Sequence, residues 1–198
     1  MKKIAIFVDW ENLRQRVFVE ASTVLGKKIN YNHIPNVIKL ITSFVEPNEE
    51  IHRIFFYLAK PFGETVNGVD YSQTSTYQNS VSFIKKLAIQ DNIAVRKGYL
   101  AIRGYDKNNQ PIFVQKQVDM LIGLDIAHIS HHKHADRVLI LSADTDIIPA
   151  MKTARINGLQ VVYGYCSDIQ GNDIHRKLKE HSDFIRERDF GSIFNKPS

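Results

Sequence analysis

Residues 137–150 read RVLILSADTDIIPA, and this stretch decides the fold. Val138 to Leu141 is a short, unbroken apolar run, the length of a strand covered on both faces. Such strands belong to parallel sheets flanked by helices. Ser142, Ala143, Asp144, Thr145 and Asp146 follow at once, and a helical pattern then opens with Pro149 in its first turn. Proline is tolerated there because the first turn does not need its N–H. In open α/β sheets, ligands bind beyond the carboxyl ends of the strands. Two carboxylates two residues apart on such a loop can converge on one hard cation. The amino terminus repeats the grammar, with Ile4 to Val8 followed by Asp9, Trp10, Glu11 and Asn12. Adjacent parallel strands end at the same edge, so Asp9 and Asp144 are expected to face each other across it.

Outward from these two strands, the chain alternates. Helical spacing runs over 13–23, with Asn12 as the expected N-cap, and over 34–45, with Pro35 in the first turn. It returns over 77–89 and 118–131, and again from Pro149 to Asn157, where Gly158 supplies a stop. Strands are expected at 51–59, 93–101, 159–163 and 184–188, and a hairpin partner at 112–114 after the turn Asp106 to Asn109. Residues 173–180 read as a polar helix. Pro61 to Thr74 has no period and leaves the carboxyl end of a strand, where functional loops concentrate. The expectation is one α/β domain spanning 1–198, with a mainly parallel sheet.

Composition bounds the function. With 43% hydrophobic and 24% charged residues among 198, the chain reads as a soluble globular protein. No apolar run reaches membrane-spanning length, and Asp9 ends the first one too early for a signal peptide. A lone Cys166 excludes an internal disulfide framework and fits a reducing cytoplasm. The net charge of +5 permits a polyanionic partner without requiring one.

Asp119 adds a third acidic region, at the start of the helix that follows Lys116-Gln117-Val118. Carboxylates without histidine or cysteine suit Mg²⁺ or Mn²⁺. Crowded without a cation, they would repel and raise one another's pKa. The chemistry that matches is phosphodiester hydrolysis.

These residues carry a family resemblance. Asp9-Trp10-Glu11-Asn12-Leu13 resembles the D-x-x-N-L start of NYN domains, which are PIN-like nucleases. Lys116-Gln117-Val118-Asp119, with Asp125 six residues later, resembles the family's K-x-V-D segment and its following aspartate. Ser142 to Asp146 is similar to S-G-D-S-D-F, and LKEHSDFI at 178–185 is similar to the closing segment of LabA-like bacterial members. The resemblance implies a PIN-like three-layer α/β/α sandwich and metal-dependent ribonuclease activity; with the carboxylate donors, the expectation is an endoribonuclease using Mg²⁺ or Mn²⁺ on single-stranded or flexible RNA. It implies a metal-binding and catalytic set of Asp9, Asp119, Asp144 and Asp146. Asn12, Lys116, Trp10 and Ser142 would then bind substrate. Trp10 is open to two roles, stacking on a base or walling the fold. Trp10, Gln117, Ala143 and Ile147 depart from the family's usual residues at those positions.

Blander readings stand beside this one. Asp146 and Asn12 are good helix caps, and Asp119 suits a first turn. Asp125 lies off the Asp119 face and reads as structural. His128, His131, His132 and His134 lack the motif context of a zinc site. Lys85, Lys86, Arg96, Lys97, Arg103, Lys152, Arg155, Arg176, Lys177 and Lys179 could together line a phosphate track. Tyr71 and Tyr77 could stack on bases. Two other functional classes remain: a noncatalytic RNA-binding regulatory module on the same fold, and a haloacid-dehalogenase-like small-molecule phosphohydrolase. The latter wants an aspartate two residues after its nucleophile, where this chain has Glu11. Oligomeric state is left open, a homodimer included.

Overall fold

The computed structural model describes residues 1–167 and 172–195. In chain order the strands are β1 (Lys2–Asp9), β2 (Glu49–Lys60), β3 (Thr65–Val66), β4 (Val69–Asp70), β5 (Ile93–Tyr105), β6 (Pro111–Lys116), β7 (Arg137–Leu141), β8 (Gln160–Cys166) and β9 (Phe184–Arg188). The helices are α1 (Trp10–Leu13), α2 (Val19–Val24), α3 (Ile34–Thr42), α4 (Ser75–Ala88), α5 (Val118–His131), α6 (Ile148–Ile156), α7 (Asn172–Glu180) and α8 (Phe190–Phe194). A π-helical turn, Arg14–Phe18, joins α1 to α2.

Seven strands form one sheet in the order β6-β5-β2-β1-β7-β8-β9, parallel throughout except for β6 at one edge. The chain builds outward from β1 to β2 and β5, then returns to the other side of β1 with β7 and builds outward again. The β1/β7 seam is therefore the switch point, where open α/β sheets hold their ligands.

Side chains alternate across a strand with period two, and β1 shows this cleanly. Ile4, Ile6 and Val8 pack with Leu13, Val37, Leu40, Phe83 and Phe190 on one face. Ala5 and Phe7 pack with Ile122, Ile126, Met151, Tyr163 and Leu178 on the other. Helices α1 to α4 and α8 thus cover one face and α5 to α7 the other, the expected α/β/α sandwich.

Several boundaries differ from the sequence reading. The first helix starts at Trp10, three residues early, because Asp9 rather than Asn12 is its cap. α3 ends at Thr42, yet Phe44 stays buried beyond it, which extends the apolar stripe past the helix. The aperiodic loop after β2 contains the small β3–β4 hairpin and a 3-10 turn, Tyr71–Gln73. α8 is five residues long, too short to show a period.

One buried ion cluster clamps the far strands to the centre. The Glu49 carboxylate has no exposed surface. Arg186 of β9 donates to it through two nitrogens (2.7 and 2.8 Å), and Arg137 of β7 through one (2.7 Å). Burial alone would raise its pKa, but the bonds from Arg186, the Glu46 N–H and Arg137 outweigh burial and hold it at about 2, below the ordinary 4.5. A depressed carboxylate contributes stability above its unfolded pKa and loses it as pH falls through the folded one. Glu49→Gln should therefore lower the urea-unfolding free energy at pH 7 by about 3–5 kcal/mol, the usual cost of breaking a buried pair. The gap from wild type should shrink as pH falls from 4.5 toward 2.

Candidate active site

Asp9 closes β1 on the face it shares with Ala5 and Phe7, and only 4% of it is exposed. Both its oxygens are engaged. Oδ1 accepts the Asn12 N–H (3.5 Å), and Oδ2 accepts the Ser142 hydroxyl (3.1 Å). Ser142 directly follows β7, whose Leu141 is the register partner of Val8. The Ser142 oxygen also accepts the Asp144 N–H (3.1 Å), while the Asn12 Oδ1 accepts the Ala143 N–H (3.1 Å). The two strand-end loops are thus stitched together across the switch point.

Asp144 uses Oδ1 to accept the Asp146 N–H (2.9 Å) and so caps the 3-10 turn Thr145–Ile147. The caps are therefore Asp9 and Asp144, where the sequence suggested Asn12 and Asp146. A cap's oxygen must reach an N–H two or three residues onward, and the backbone turns three residues earlier at Asp9 and two earlier at Asp144 than the apolar pattern indicates. Asn12 instead spends its carbonyl on the neighbouring loop.

Asp119 arrives by another route. β5 runs past the level at which Asp9 pairs with Tyr57, and β6 pairs with that overhang, matching Tyr99 with Lys116. An antiparallel edge strand thereby delivers α5 to the carboxyl edge. Two local features fix the entry. Gln117 adopts a left-handed φ of 71°, where glycine would carry no side-chain strain. Gly98 allows the backbone of Lys116 to approach so closely that an added Cβ would meet its carbonyl oxygen at 2.3 Å. One turn and a half along α5, the Asp125 Oδ2 accepts the Tyr57 hydroxyl and the Arg96 Nε, both at 2.8 Å. Asp125 is thus a tether holding α5 against the strand that pairs with Asp9.

Electrostatics ties the carboxylates together. Burial pushes the Asp9 pKa up to about 6, against the Ser142 and Asn12 hydrogen bonds, and the charges of Asp119 and Asp144 add to the rise. Asp119 is raised by burial and by Asp144 and Asp146. Asp146, exposed, acts on Asp119 and sits at the outer rim.

The remaining expected residues are placed as follows. Lys116 ends β6, exposed, three residues before Asp119. Trp10 is 5% exposed, stacked on Phe83 (5.2 Å between ring centroids) and tilted against Phe56 (5.0 Å). Of its two possible roles, the indole takes the wall and offers no open ring face to a base. Arg96 pairs with Asp125, Arg155 with Asp183 and Arg176 with Glu180, so these three are committed within the fold. The histidines gather at the far end of α5, with His128, His132 and His134 rings 4.5–5.6 Å apart, away from the carboxylates.

Carboxylate oxygens are the donors hard divalent cations prefer, and the shared repulsion here is what a dication relieves. The donor set therefore fits Mg²⁺ or Mn²⁺. Among the described residues, no three His, Cys, Asp or Glu side chains already stand close enough to hold an ion.

Fold and edge together define a mixed α/β protein with a carboxylate cluster at its switch point. The chain belongs to the NYN domain family, which matches residues 3–186. That membership implies a PIN-like nuclease or RNA-related function, in a group that generally uses divalent metals. No curated protein matches the sequence. Among solved structures, the nicotinamidase SaPncA from Staphylococcus aureus aligns over 95% of this chain and 98% of its own, at 11% identity and a TM-score of 0.39. Among the described residues, no helix is long and apolar enough to cross a membrane.

Asp9 makes a pH prediction. Its folded pKa lies above the ordinary 3.8, so the native state holds a proton that the unfolded state has lost between pH 3.8 and about 6. Native stability should fall as pH rises through that window and level off above it. In metal-free buffer at pH 7, Asp9→Asn should raise stability by about 1–3 kcal/mol, since one pKa unit corresponds to about 1.4 kcal/mol and the Ser142 bond is weakened. The gain should vanish by pH 4 in thermal melts.

Proposed function

We propose that the chain is a metal-dependent endoribonuclease, a single NYN domain across 1–198, cutting single-stranded or flexible RNA. The observation that carries this reading is Asp9: a carboxylate buried at the switch point, sharing a repulsive field with Asp119 and Asp144. A protein gains no stability from such an arrangement, and strongly perturbed groups in a cleft mark functional sites. Asp9, Asp119 and Asp144 would hold Mg²⁺ or Mn²⁺, with Asp146 as an outer or alternate ligand. Bound there, the cation would polarise the phosphate and lower the pKa of an attacking water.

The protein's own groups prepare that site. Ser142 and the Asn12 N–H fix the Asp9 carboxylate plane, and the Asp146 N–H fixes Asp144. Asn12 locks the loop after β7. Lys116 contacts a substrate phosphate from the exposed end of β6. The family resemblance implies 5′-phosphate and 3′-hydroxyl products. RNA as substrate and a single, buried cysteine fit a cytoplasmic setting. The closing segment 178–185 supports a LabA-like branch.

The phosphohydrolase reading loses support because Glu11, the residue two after Asp9, is drawn to Arg14 at 2.6 Å. A noncatalytic RNA-binding module is the reading to separate by experiment. Asp144→Asn keeps the Oδ1 cap but removes a charge. It should reduce Mn²⁺-dependent cleavage of a fluorescent oligoribonucleotide at least 100-fold while the melting temperature holds or rises. Wild-type protein inert on RNA across Mg²⁺ and Mn²⁺ titrations would leave the noncatalytic module.

A further inference from the structure

A cleft of about 660 Å³ opens beside the carboxylates, on the opposite face of the sheet from α5. That volume is in the range of pockets that hold small organic ligands. Its walls come from α1, α4, the loop after β2 and the β5–β6 hairpin. In sequence the acidic segments bracket it: Trp10 and Glu11 directly follow Asp9, and Gln115 precedes Asp119 by four residues.

Its lining is aromatic and neutral. Phe62 and Tyr71 of the loop after β2 and Phe113 of β6 form a wall with ring centroids 4.9–5.7 Å apart. Tyr77 packs against the loop backbone, so that a Cβ at Gly63 would lie 2.7 Å from its ring. All four aromatics are partly exposed toward the cleft. Asn32, Asn79 and Gln115 set amides around them. Glu11 and Arg14 are the charged residues in the lining, and they neutralise each other at 2.6 Å.

These features sort the parts of a nucleotide. A wall without net positive charge gives a phosphate no counter-charge, and the acidic edge next door repels a phosphate unless a cation intervenes. Aromatic faces and amide groups are what unstacked bases meet in single-strand recognition. We infer that the Trp10–Tyr77–Phe113 cleft is a base-binding subsite, which receives a nucleobase flanking the phosphate held at the Asp9–Asp144 edge. The inference rests on the nuclease reading for the place of that phosphate. It also moves base stacking away from Trp10, which forms the cleft floor, to Tyr71, Tyr77, Phe62 and Phe113.

The test compares two probes of equal charge on full-length Asp144→Asn protein in Mn²⁺. One is an eight-nucleotide oligouridylate and the other an abasic ribose-phosphate chain of the same length. Anisotropy should give the base-bearing chain at least ten-fold tighter binding. Tyr77→Leu and Phe113→Leu keep apolar bulk but remove the ring, and each should weaken oligouridylate about five-fold or more, leaving the abasic chain unchanged. A 2-aminopurine placed in the oligonucleotide reports stacking on the unaltered cleft, so the test survives if a variant fails to fold. Equal affinity for both probes, unquenched 2-aminopurine, or no binding of either probe would overturn the subsite. Wild-type cleavage of the same oligouridylate, run in parallel, separates the two ideas. Cleavage without base-dependent binding removes the cleft and keeps the nuclease. Base-dependent binding without cleavage keeps the cleft and removes the nuclease.

Discussion

The hydrogen bond from the Ser142 hydroxyl to Asp9 (3.1 Å) joins the ends of two central strands, and the geometry of the carboxyl edge hangs from it. β1 has a parallel neighbour on each side and helices on both faces, so the residue at its end cannot escape into water. A buried carboxylate needs hydrogen bonds or an opposite charge. Asp9 receives the first from Ser142 and Asn12, while the charges of Asp119 and Asp144 that act on it are of the wrong sign. The fold thus holds an unsatisfied electrostatic demand at the place where its topology opens a crevice.

Capping and like-charge crowding coexist at this edge. Asp9 and Asp144 each commit one oxygen to a helical or 3-10 first turn, which fixes the carboxylate without removing its charge. Stability is supplied elsewhere. The Glu49–Arg137–Arg186 cluster binds β2, β7 and β9, and the Tyr57–Asp125–Arg96 cluster holds α5 to β2 and β5. Both use opposite charges, in contrast to the like charges gathered around Asp9.

Much of this was legible in the sequence because parallel strands announce themselves. Apolar runs at 4–8 and 138–141, the first followed by Asp9 and the second by Ser142-Ala143-Asp144, located the switch point, and α5 was bounded correctly at 118–131. The carboxylates were readable because each follows directly on a strand or opens a helix. Less local features were not. Cap identity at Asp9 against Asn12 turns on where the backbone leaves β1 for the helix, a matter of three residues that the apolar pattern does not resolve. Nothing in the run from Pro61 to Thr74 foretold that Phe62 and Tyr71 would meet Phe113, some fifty residues away by chain. The burial of Trp10 depends on Phe83, from a helix whose own pattern says nothing about β1. The left-handed backbone at Gln117 shows why glycine would be at ease there, though the sequence offered only the departure.

On our proposal, Asp9, Asp119 and Asp144 act as one electrostatic unit that receives a divalent cation. Carbon-detected NMR of the Asp9 carboxyl tests it directly. In metal-free buffer the resonance should titrate near pH 6, and near pH 5 or below once Mg²⁺ is added. Asp119→Asn should lower the metal-free midpoint and blunt the Mg²⁺ response. An ordinary midpoint near 4, or one near 6 that neither Mg²⁺ nor Asp119→Asn moves, would contradict the account.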